Sequence, residues 1–298
     1  MLRIHKANLG KQKILAELKN QYKQDPSSLL ELVGNEIQEI LDKSAEFYKK
    51  QLDLSGTKGL VVGLSGGIDS ATVAYLAVNA LGVENVYGVL LPSEHTSEKD
   101  IKDALRVSSE LKIEVNNWRK VQAEFDSLAM QIEAIGEHAI DSSLQKIKMA
   151  NIHARLRMII LRDIARSKNY LVAGTGNASE LMTGYFTLAG DGLGGIDNEV
   201  LGRLFKTQVR KLAKYFKVSE NIIDKDPSAG LYAGQTDEDE LGMNYELLDK
   251  VLLGNLLQFD AREIIDLVKE LELNQVQDVF ERVNKNAYKL KTAAILEF

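Results

Sequence analysis

A short apolar run that passes directly into a glycine-rich turn constrains this sequence most. Residues 58–64 (KGLVVGL) continue into Ser65-Gly66-Gly67-Ile68-Asp69-Ser70, and apolar residues at helical spacing follow over 71–81. A run of this length and composition is typical of a strand that is buried on both faces, and such strands belong to parallel sheets. The chain is therefore expected to contain a strand, a tight turn and a helix in direct succession.

The same alternation continues over the next hundred residues. Further strands are predicted over 85–91, from 113 onward and over 170–173, between helices over 97–111, 120–135 and 141–167. Alternating strands and helices predict an α/β fold, a doubly wound parallel sheet with helices on both faces. Ligands bind such sheets beyond the carboxyl ends of the strands. The loops 65–70, 92–97 and 174–180 are therefore expected to meet at one edge.

Helical segments are expected on either side of this sheet. Asp25-Pro26-Ser27-Ser28 has the composition of a helix start, and the chain after Phe205 is mostly helical in its apolar spacing. No repeat, low-complexity segment or clear linker interrupts the sequence. We therefore predict one domain over residues 1–298 with helical N- and C-terminal flanks, in which residues 1–25 are an N-terminal extension.

Composition excludes several classes of protein. The 298 residues carry a net charge of −6, which argues against broad electrostatic binding of nucleic acid. The absence of cysteine excludes thiolate metal sites and a cysteine nucleophile. No secretory signal is evident, and no segment approaches the roughly 20 apolar residues that span a bilayer. These features predict a cytoplasmic enzyme with neither a nucleic-acid nor a membrane partner.

The loop after the first strand has the chemistry of a phosphate site. Gly66 and Gly67 let backbone N–H groups approach an anion, and Ser65 and Ser70 add hydroxyl donors. The helix that follows favours negative charge at its N-terminus. The loop lacks the Gly-Lys-Ser/Thr ending of the Walker pattern. The prediction is therefore a phosphate loop of another type.

Asp69 stands where a Walker loop would have its lysine. A carboxylate repels phosphates unless a cation bridges them, and Mg²⁺ is bound by one or two carboxylates together with phosphate oxygens. Asp69 is therefore a candidate Mg²⁺ ligand. The alternative is a glycine-rich turn in which Asp69 only caps the helix.

The loop resembles the pyrophosphate loop of the N-type ATP pyrophosphatases, which have the adenine nucleotide alpha hydrolase-like fold. Other strings resemble those of NAD synthetases in the same order, and the resemblance as a whole runs from about residue 30 to 290. They are Asn151-Ile152-His153-Ala154-Arg155-Leu156-Arg157-Met158, Gly174-Thr175-Gly176-Asn177-Ala178-Ser179-Glu180, Gly184-Tyr185-Phe186-Thr187, Gly190-Asp191-Gly192, Lys206-Thr207-Gln208-Val209, Pro227-Ser228-Ala229-Gly230-Leu231 and Gly234-Gln235-Thr236-Asp237-Glu238.

The resemblance implies an amide-forming ligase that uses ATP, ammonia and deamido-NAD (nicotinic acid adenine dinucleotide). ATP would adenylate the nicotinate carboxylate and release pyrophosphate, and ammonia would then displace AMP to give NAD. Glutamine-dependent relatives carry an additional glutaminase domain with a catalytic cysteine, which this chain lacks. The resemblance also implies a homodimer.

Site residues follow from the resemblance, position by position. It implies Mg²⁺ ligands at Asp69 and Glu180, and catalytic roles for Asp69 and Lys206. The implied ATP contacts are Ser65, Gly66, Gly67, Ser70, Arg155, Thr175, Lys206 and Ser228, and the implied deamido-NAD contacts are Asn151, Tyr185 and Asp191. The glycine-rich residues 190–195 are a candidate closing loop.

Some positions leave alternatives open. Leu188 and Ala189 stand where the family usually has a basic residue, and Tyr288-Lys289-Leu290 stands where it commonly has His-Lys-Arg. Because these positions belong to the acid-binding side, a related ligase for another carboxylate is the alternative enzyme. A nucleotide-binding regulator without turnover is the alternative from a different class. Arg157 is equally compatible with a structural ion pair. Residues 236–240 are either a substrate-gating acidic loop or, as we favour, a capped helix start.

Overall fold

The computed structural model describes residues 12–118, 122–135, 142–228 and 236–291. In this part of the chain, one sheet is formed by β1 (Leu60–Gly63), β2 (Val86–Leu90), β3 (Glu114–Asn117), β4 (Leu171–Gly174) and β5 (Asn198–Glu199). All the pairings are parallel, and the strand order is β3-β2-β1-β4-β5. The predicted fold class is confirmed.

Helices connect and surround these strands. Before β4 they are α1 (Gln12–Gln24), α2 (Gly34–Ser55), α3 (Ile68–Leu81), α4 (Glu98–Leu111), α5 (Gln122–Ile135) and α6 (Ser142–Lys168). After β4 they are α7 (Ala178–Thr183), α8 (Lys206–Tyr215), α9 (Glu220–Ile223), α10 (Asp237–Leu241), α11 (Tyr245–Leu256), α12 (Ala261–Leu267) and α13 (Leu273–Asn286). Short 3₁₀ turns lie at Val83–Asn85 and Ala287–Leu290. Residues 120, 121 and 141 of the predicted helices lie outside the described residues.

The position of β1 determines where a ligand can bind. Leu60, Val61 and Val62 are completely buried because β1 lies between β2 and β4 and is covered on both faces. The chain adds β2 and β3 on one side of β1 and then crosses over to add β4 and β5 on the other. A crevice therefore opens between the carboxyl ends of β1 and β4, where the strand order reverses.

Helices cover both faces of the sheet, and a further group packs beside it. Apolar side chains of α2, α3, α4 and α8 pack on the face that carries Leu60 and Val62. Met158 and Leu161 of α6 pack on the opposite face, against Val61. Helices α1, α11, α12 and α13 contribute to a separate apolar cluster that contains Tyr22. The described parts of both flanks are thus helical, as predicted.

One local prediction is wrong, and one strand was missed. Residues 25–28 do not begin a helix, because the Asp25 side chain accepts a hydrogen bond from the Ser27 N–H at 2.8 Å and forms a turn. The helix instead begins at Gly34. Strand β5 was not predicted, since two residues are too few to show any alternation.

None of the helices in the described ranges is long and apolar enough to cross a membrane.

Candidate active site

The glycine-rich loop joins β1 to α3 at the crevice. Gly66 has φ +81°, and a Cβ atom there would lie 2.2 Å from the Asp100 carbonyl oxygen, so only glycine fits. The Ser65 hydroxyl accepts a hydrogen bond from the Gly67 N–H at 3.1 Å and lies 3.0 Å from the Ser70 hydroxyl. These bonds hold the loop in a tight turn at the N-terminus of α3, where an anion is favoured.

Asp69 is not the cap of this helix. The N-cap position is Gly67, and no side chain caps the first turn. Asp69 Oδ2 instead accepts a hydrogen bond from Lys206 Nζ at 2.5 Å, and Oδ1 accepts one from the Asn177 side-chain amide at 3.0 Å. The capping alternative is therefore wrong, and the carboxylate belongs to a buried polar cluster.

Lys206 joins two carboxylates that come from different helices. Its ammonium lies 2.5 Å from Asp69 of α3 and 3.2 Å from Glu180 of α7, and the Lys206 side chain is almost completely buried. The Tyr245 ring lies 5.1 Å from the same ammonium. A buried lysine requires such compensation, because an isolated charge is costly to remove from water.

Glu180 is oriented by the first turn of its own helix. Its Oε2 accepts a hydrogen bond from the Asn177 N–H at 3.2 Å, while the Asn177 side chain accepts one from the Glu180 N–H at 3.1 Å. This reciprocal capping box satisfies two backbone donors and fixes the Glu180 side chain. Asn177 thereby positions both Glu180 and Asp69.

Lys206 is held in place from behind by Asp249 of α11. Asp249 accepts hydrogen bonds from the Ser179 hydroxyl at 2.5 Å and from the Thr207 N–H at 2.9 Å. Ser179 in turn accepts one from the Lys206 N–H at 3.0 Å. The buried carboxylate therefore anchors the N-termini of α7 and α8 to each other, which brings Glu180 and Lys206 together.

Burial and charge shift the titration of this cluster. Burial raises the pKa of Glu180 to about 8, although Lys206 acts in the opposite direction. Burial alone would lower the pKa of Lys206, but the charges of Asp69 and Glu180 outweigh it and raise that pKa. The lysine is therefore a permanent cation at neutral pH.

The oxygen donors here fit a magnesium ion that is shared with phosphates. Asp69 and Glu180 both reach one ammonium, so a small cation between them would be within reach of both carboxylates. Among the described residues, no group of three or more His, Cys, Asp and Glu could hold a metal without further ligands. Two carboxylates that rely on phosphate oxygens for the remaining positions are the usual arrangement for Mg²⁺.

One cavity of about 540 Å³ contains most of the predicted site. Ten predicted residues line it, which are Ser65, Gly67, Asp69, Ser70, Thr175, Glu180, Tyr185, Asp191, Lys206 and Ser228. All three loops that follow strands contribute to its wall, as expected for the carboxyl edge of a parallel sheet. The volume is within the range of pockets that hold small organic ligands.

Three predicted residues are not part of the cavity wall. Gly66 turns its carbonyl oxygen toward Lys225, at 3.0 Å. Arg155 is exposed and donates to the Leu188 carbonyl oxygen at 3.3 Å, whereas Arg157 lines the cavity and donates to the Leu91 carbonyl oxygen at 3.1 Å. Positions two apart on a helix do not share a face, so only one of these arginines faces the cavity. The contact of Arg155 with ATP stays a prediction.

Asn151, the third of these residues, supports the loop that carries Thr187 and Asp191. Its side-chain oxygen accepts a hydrogen bond from the Thr187 hydroxyl at 2.7 Å, and Asp191 accepts one from the Thr187 N–H at 2.8 Å. Tyr185 donates to Glu240 at 2.6 Å. These bonds place Asp191 and Tyr185 on the same wall of the cavity.

Four further residues shape the site and were not predicted. Asp237 and Glu199 line the cavity, Lys225 contacts the glycine-rich loop, and Asp249 anchors two helices. Asp249 had a detectable signal, since it is an acidic residue within the apolar spacing of α11. Thr236 caps α10, as the capped-start alternative proposed, but Asp237 beside it is buried. Ala229, Gly230, Leu231, Gly234 and Gln235 of the sequence strings lie outside the described residues.

The fold and the site together define a class of protein. A parallel sheet whose central strand ends in this glycine-rich loop, beside a lysine and two carboxylates, is the arrangement of a PP-loop α/β protein. Residues 40–293 match the sequence model of one family, which is described as NAD synthase. The chain belongs to the NAD synthase family, and the predicted family is confirmed.

Individual relatives are similar over most of the chain. The NH₃-dependent NAD⁺ synthetase of Methanococcoides burtonii is 41% identical over 252 residues, which is 84% of this chain and 91% of that protein. The solved structure of NMN synthetase from Francisella tularensis has a TM-score of 0.72 at 34% identity and covers 88% of this chain and 99% of that one. An NH₃-dependent NAD synthetase from Campylobacter jejuni, solved with nitrate, has a TM-score of 0.69 at 32% identity with the same coverage.

Proposed function

We propose that this chain amidates deamido-NAD with ammonia at the expense of ATP and releases NAD, AMP and pyrophosphate. The observation that carries the proposal is the convergence of Asp69, Glu180 and Lys206 beside the glycine-rich loop, in the same cavity as Tyr185 and Asp191. The names of the relatives support the same reaction. Phosphate chemistry and recognition of the acid are then performed at two walls of one cavity.

The first step is transfer of AMP to the carboxylate. A carboxylate oxygen of the acid attacks the α-phosphorus of ATP, a new P–O bond forms, and the bond to pyrophosphate breaks. Negative charge grows on the leaving pyrophosphate, and the cations nearest to the loop stabilise it. Lys206 supplies a permanent positive charge there, while the Gly67 N–H and the hydroxyls of Ser65 and Ser70 supply hydrogen bonds.

The second step forms the amide. The lone pair of ammonia attacks the acyl carbon, AMP leaves with the electrons of the C–O bond, and one proton is lost to solvent. Water competes with ammonia for the same carbon, so exclusion of water favours the amide. Residues 190–195 border the cavity through Asp191 and are the candidate closing segment.

Mg²⁺ is part of the proposal as the companion of ATP. Asp69 and Glu180 would hold it, and it would neutralise charge on the phosphate oxygens when bound. Because both carboxylates are paired with Lys206, the lysine keeps them close together without the metal. Loss of activity on chelation, reversed by added Mg²⁺, would support this role.

The test of the function is a product analysis. The purified chain is incubated with ATP, Mg²⁺, an ammonium salt and deamido-NAD, and NAD, AMP and pyrophosphate are quantified. We expect the three products in equal amounts, and no NAD when ammonium is omitted. ATP binding without pyrophosphate release from any acid would instead identify a nucleotide-binding regulator.

A mononucleotide acid is the second candidate substrate. The similarity to NMN synthetase supports it, as do Leu188 and Ala189, which leave that stretch of the acid-binding side without a basic side chain. A mononucleotide lacks the adenylate half of deamido-NAD and requires fewer positive contacts. A higher kcat/KM with nicotinic acid mononucleotide than with deamido-NAD would establish this alternative.

The proposed assembly is a homodimer in the cytoplasm. Helices α5 and α6 carry large apolar side chains that are exposed to solvent. Among them, Ile135 is 87% exposed and Ile147 is 54% exposed. Exposed apolar surface of this kind is typical of an association face. A second copy of the chain is the proposed occupant, and the cytoplasmic location rests on the composition alone.

A further inference from the structure

Lys225 contacts the glycine-rich loop from outside the set of residues implied by the family. Its ammonium donates to the Gly66 carbonyl oxygen at 3.0 Å and to Asp100 at 2.6 Å, and it lies 2.7 Å from Asp103. The two carboxylates belong to α4, on the far side of the loop from Lys206. Lys225 therefore ties the loop to the start of a neighbouring helix.

The Gly66 carbonyl determines where the next N–H points. In a trans peptide the C=O and the N–H point in opposite directions, and none of the described peptide bonds is cis. Lys225 pulls the Gly66 oxygen outward, so the Gly67 N–H points inward to the Ser65 hydroxyl. This N–H is one of the groups that a phosphate oxygen would meet.

A peptide between two glycines rotates easily. Gly66 and Gly67 lack the Cβ atoms that would restrict their backbone angles, and Gly66 already has φ +81°. Rotation of this peptide would present a carbonyl oxygen to the phosphates and remove the N–H donor. A contact that holds the carbonyl outward therefore prepares the loop for an anion before ATP arrives.

Lys225 lines the cavity, but its ammonium is directed at the loop backbone and at α4. Two of its three N–H donors are used by the Gly66 carbonyl oxygen and Asp100, and Asp103 forms an ion pair with it at 2.7 Å. Asp103 is almost completely buried behind it. Burial alone would raise the pKa of Asp100, but the hydrogen bonds from Lys225 and Ser97 outweigh burial and lower it. The Asp100 carboxylate therefore stays ionised and keeps the ammonium in place.

We propose that Lys225 is a positioning residue that locks the Gly66–Gly67 peptide in the phosphate-binding orientation, with Asp100 and Asp103 as its anchors. The inference rests on the proposed function only in that the loop binds ATP. It assigns a role to a residue that does not touch the substrate.

The test measures ATP affinity by calorimetry with Mg²⁺ and without any acid substrate. Lys225→Met should weaken ATP binding by about ten-fold or more, the usual effect of losing a charge-assisted hydrogen bond. In turnover, KM for ATP should rise while KM for ammonium stays unchanged. Lys211→Met is the matched control, because Lys211 also joins a backbone carbonyl (Leu30) to a carboxylate (Glu31), but away from the cavity. It should leave ATP affinity unchanged.

A second variant separates positioning from direct phosphate binding. Asp103→Asn weakens the anchor of Lys225 and removes a negative charge near the loop. A positioning role predicts weaker ATP binding, whereas a direct phosphate contact predicts equal or tighter binding. If Lys225→Met binds ATP with wild-type affinity, or if Asp103→Asn binds ATP as tightly as the wild type or more tightly, the positioning role of Lys225 is refuted while the proposed function stands. Absence of ATP binding by the wild-type chain would overturn the proposed function as well.

Discussion

Asp69 and Glu180 are two acidic side chains whose mutual repulsion is relieved by a single lysine. Lys206 lies 2.5 and 3.2 Å from them and compensates the charge of both partly buried carboxylates. In the proposed reaction, the same lysine would also neutralise charge on the phosphates.

Replacement of Asp69 tests this arrangement directly. Asp69→Asn keeps the size of the side chain but removes the charge that would hold Mg²⁺ and pair with Lys206. We expect pyrophosphate formation to fall by about 100-fold or more, as is usual when a group that stabilises a developing charge is lost. Pyrophosphate release at saturating ATP and acid is the measurement. The exposed Asp53→Asn is the control, and near-normal turnover of Asp69→Asn would contradict the assignment.

Glu199 predicts a pH dependence of stability. Burial together with the charge of Glu180 raises the pKa of Glu199 to about 9, although the Gly176 backbone acts in the opposite direction. The ordinary value is 4.5, so between these values the folded chain keeps a proton that the unfolded chain has lost. Stability attributable to Glu199 is therefore present at low pH and falls as pH rises from 4.5 toward 9.

Glu199→Gln removes this titration. We expect the melting temperature at pH 8 to rise by about 3 °C or more relative to the wild type, with a smaller change at pH 5. Thermal unfolding at both pH values is the measurement. The exposed Glu270→Gln controls for the loss of one negative charge. An equal change in melting temperature at the two pH values would contradict a raised pKa of Glu199.

At the scale of elements, the C-terminal turn supports the cavity wall that is predicted to bind the acid. Lys289, in the 3₁₀ turn Ala287–Leu290, donates to the carbonyl oxygens of Gly184 and Phe186 at 2.7 and 3.1 Å. Asn286 donates to the Thr183 carbonyl oxygen at 3.0 Å. These bonds fasten the end of α13 to the segment that carries Tyr185 and Asp191. The departure from the family pattern in this turn thus lies in an element that supports the substrate wall.

Removal of the Lys289 contact should affect the acid more than ATP. In Lys289→Met the segment of Tyr185 and Asp191 loses two anchoring hydrogen bonds, so its geometry is less restricted. We expect KM for the acid substrate to rise about ten-fold while KM for ATP stays within about two-fold. Steady-state kinetics with each substrate varied in turn is the measurement. Lys285→Met, at an exposed position of the preceding helix α13, is the control, and parallel increases in both KM values would refute a specific role.

For the whole molecule, the exposed side of α6 carries both the proposed association face and predicted site residues. Ile147, Asn151, Arg155 and Ile159 follow one another at intervals of four residues and therefore form one stripe of the helix. Ile147 and Ile159 are both more than half exposed. Two predicted site residues thus share a helix face with large apolar side chains that are more than half exposed.

Disruption of this face should change the state of association. Ile147→Asp places a charge in the proposed interface, where its desolvation would oppose association. We expect the wild-type chain to sediment as a dimer at micromolar concentration and the variant to shift toward the monomer. Leu54→Asp, on α2 at a position 74% exposed, is the control. A monomeric wild-type chain, or a variant that remains dimeric, would contradict the homodimer.

The sequence by itself determined the sheet, the loop and the family. Buried parallel strands carry continuous apolar runs, and residues 58–64 and 85–91 show this local signal without reference to the rest of the chain. Side chains at the ends of such strands must share an edge, so Ser65, Asp69 and Thr175 were predicted to lie together before their contacts were known. Local patterns also located most of the helices.

Only the tertiary structure decided which polar groups pair. Lys206 lies 137 residues from Asp69, and Lys225 lies 159 residues from Gly66, so no periodicity relates them. Which of Arg155 and Arg157 faces the cavity depends on how α6 is rotated about its axis against the sheet. Side-chain packing determines that rotation. Strand β5 is too short to show any alternation of apolar residues, and the turn at Asp25 depends on a contact between near neighbours in the chain. Neither leaves a recognisable pattern in the sequence. Pairing of charges across a fold depends on distance in space, and distance along the chain contains little of that information.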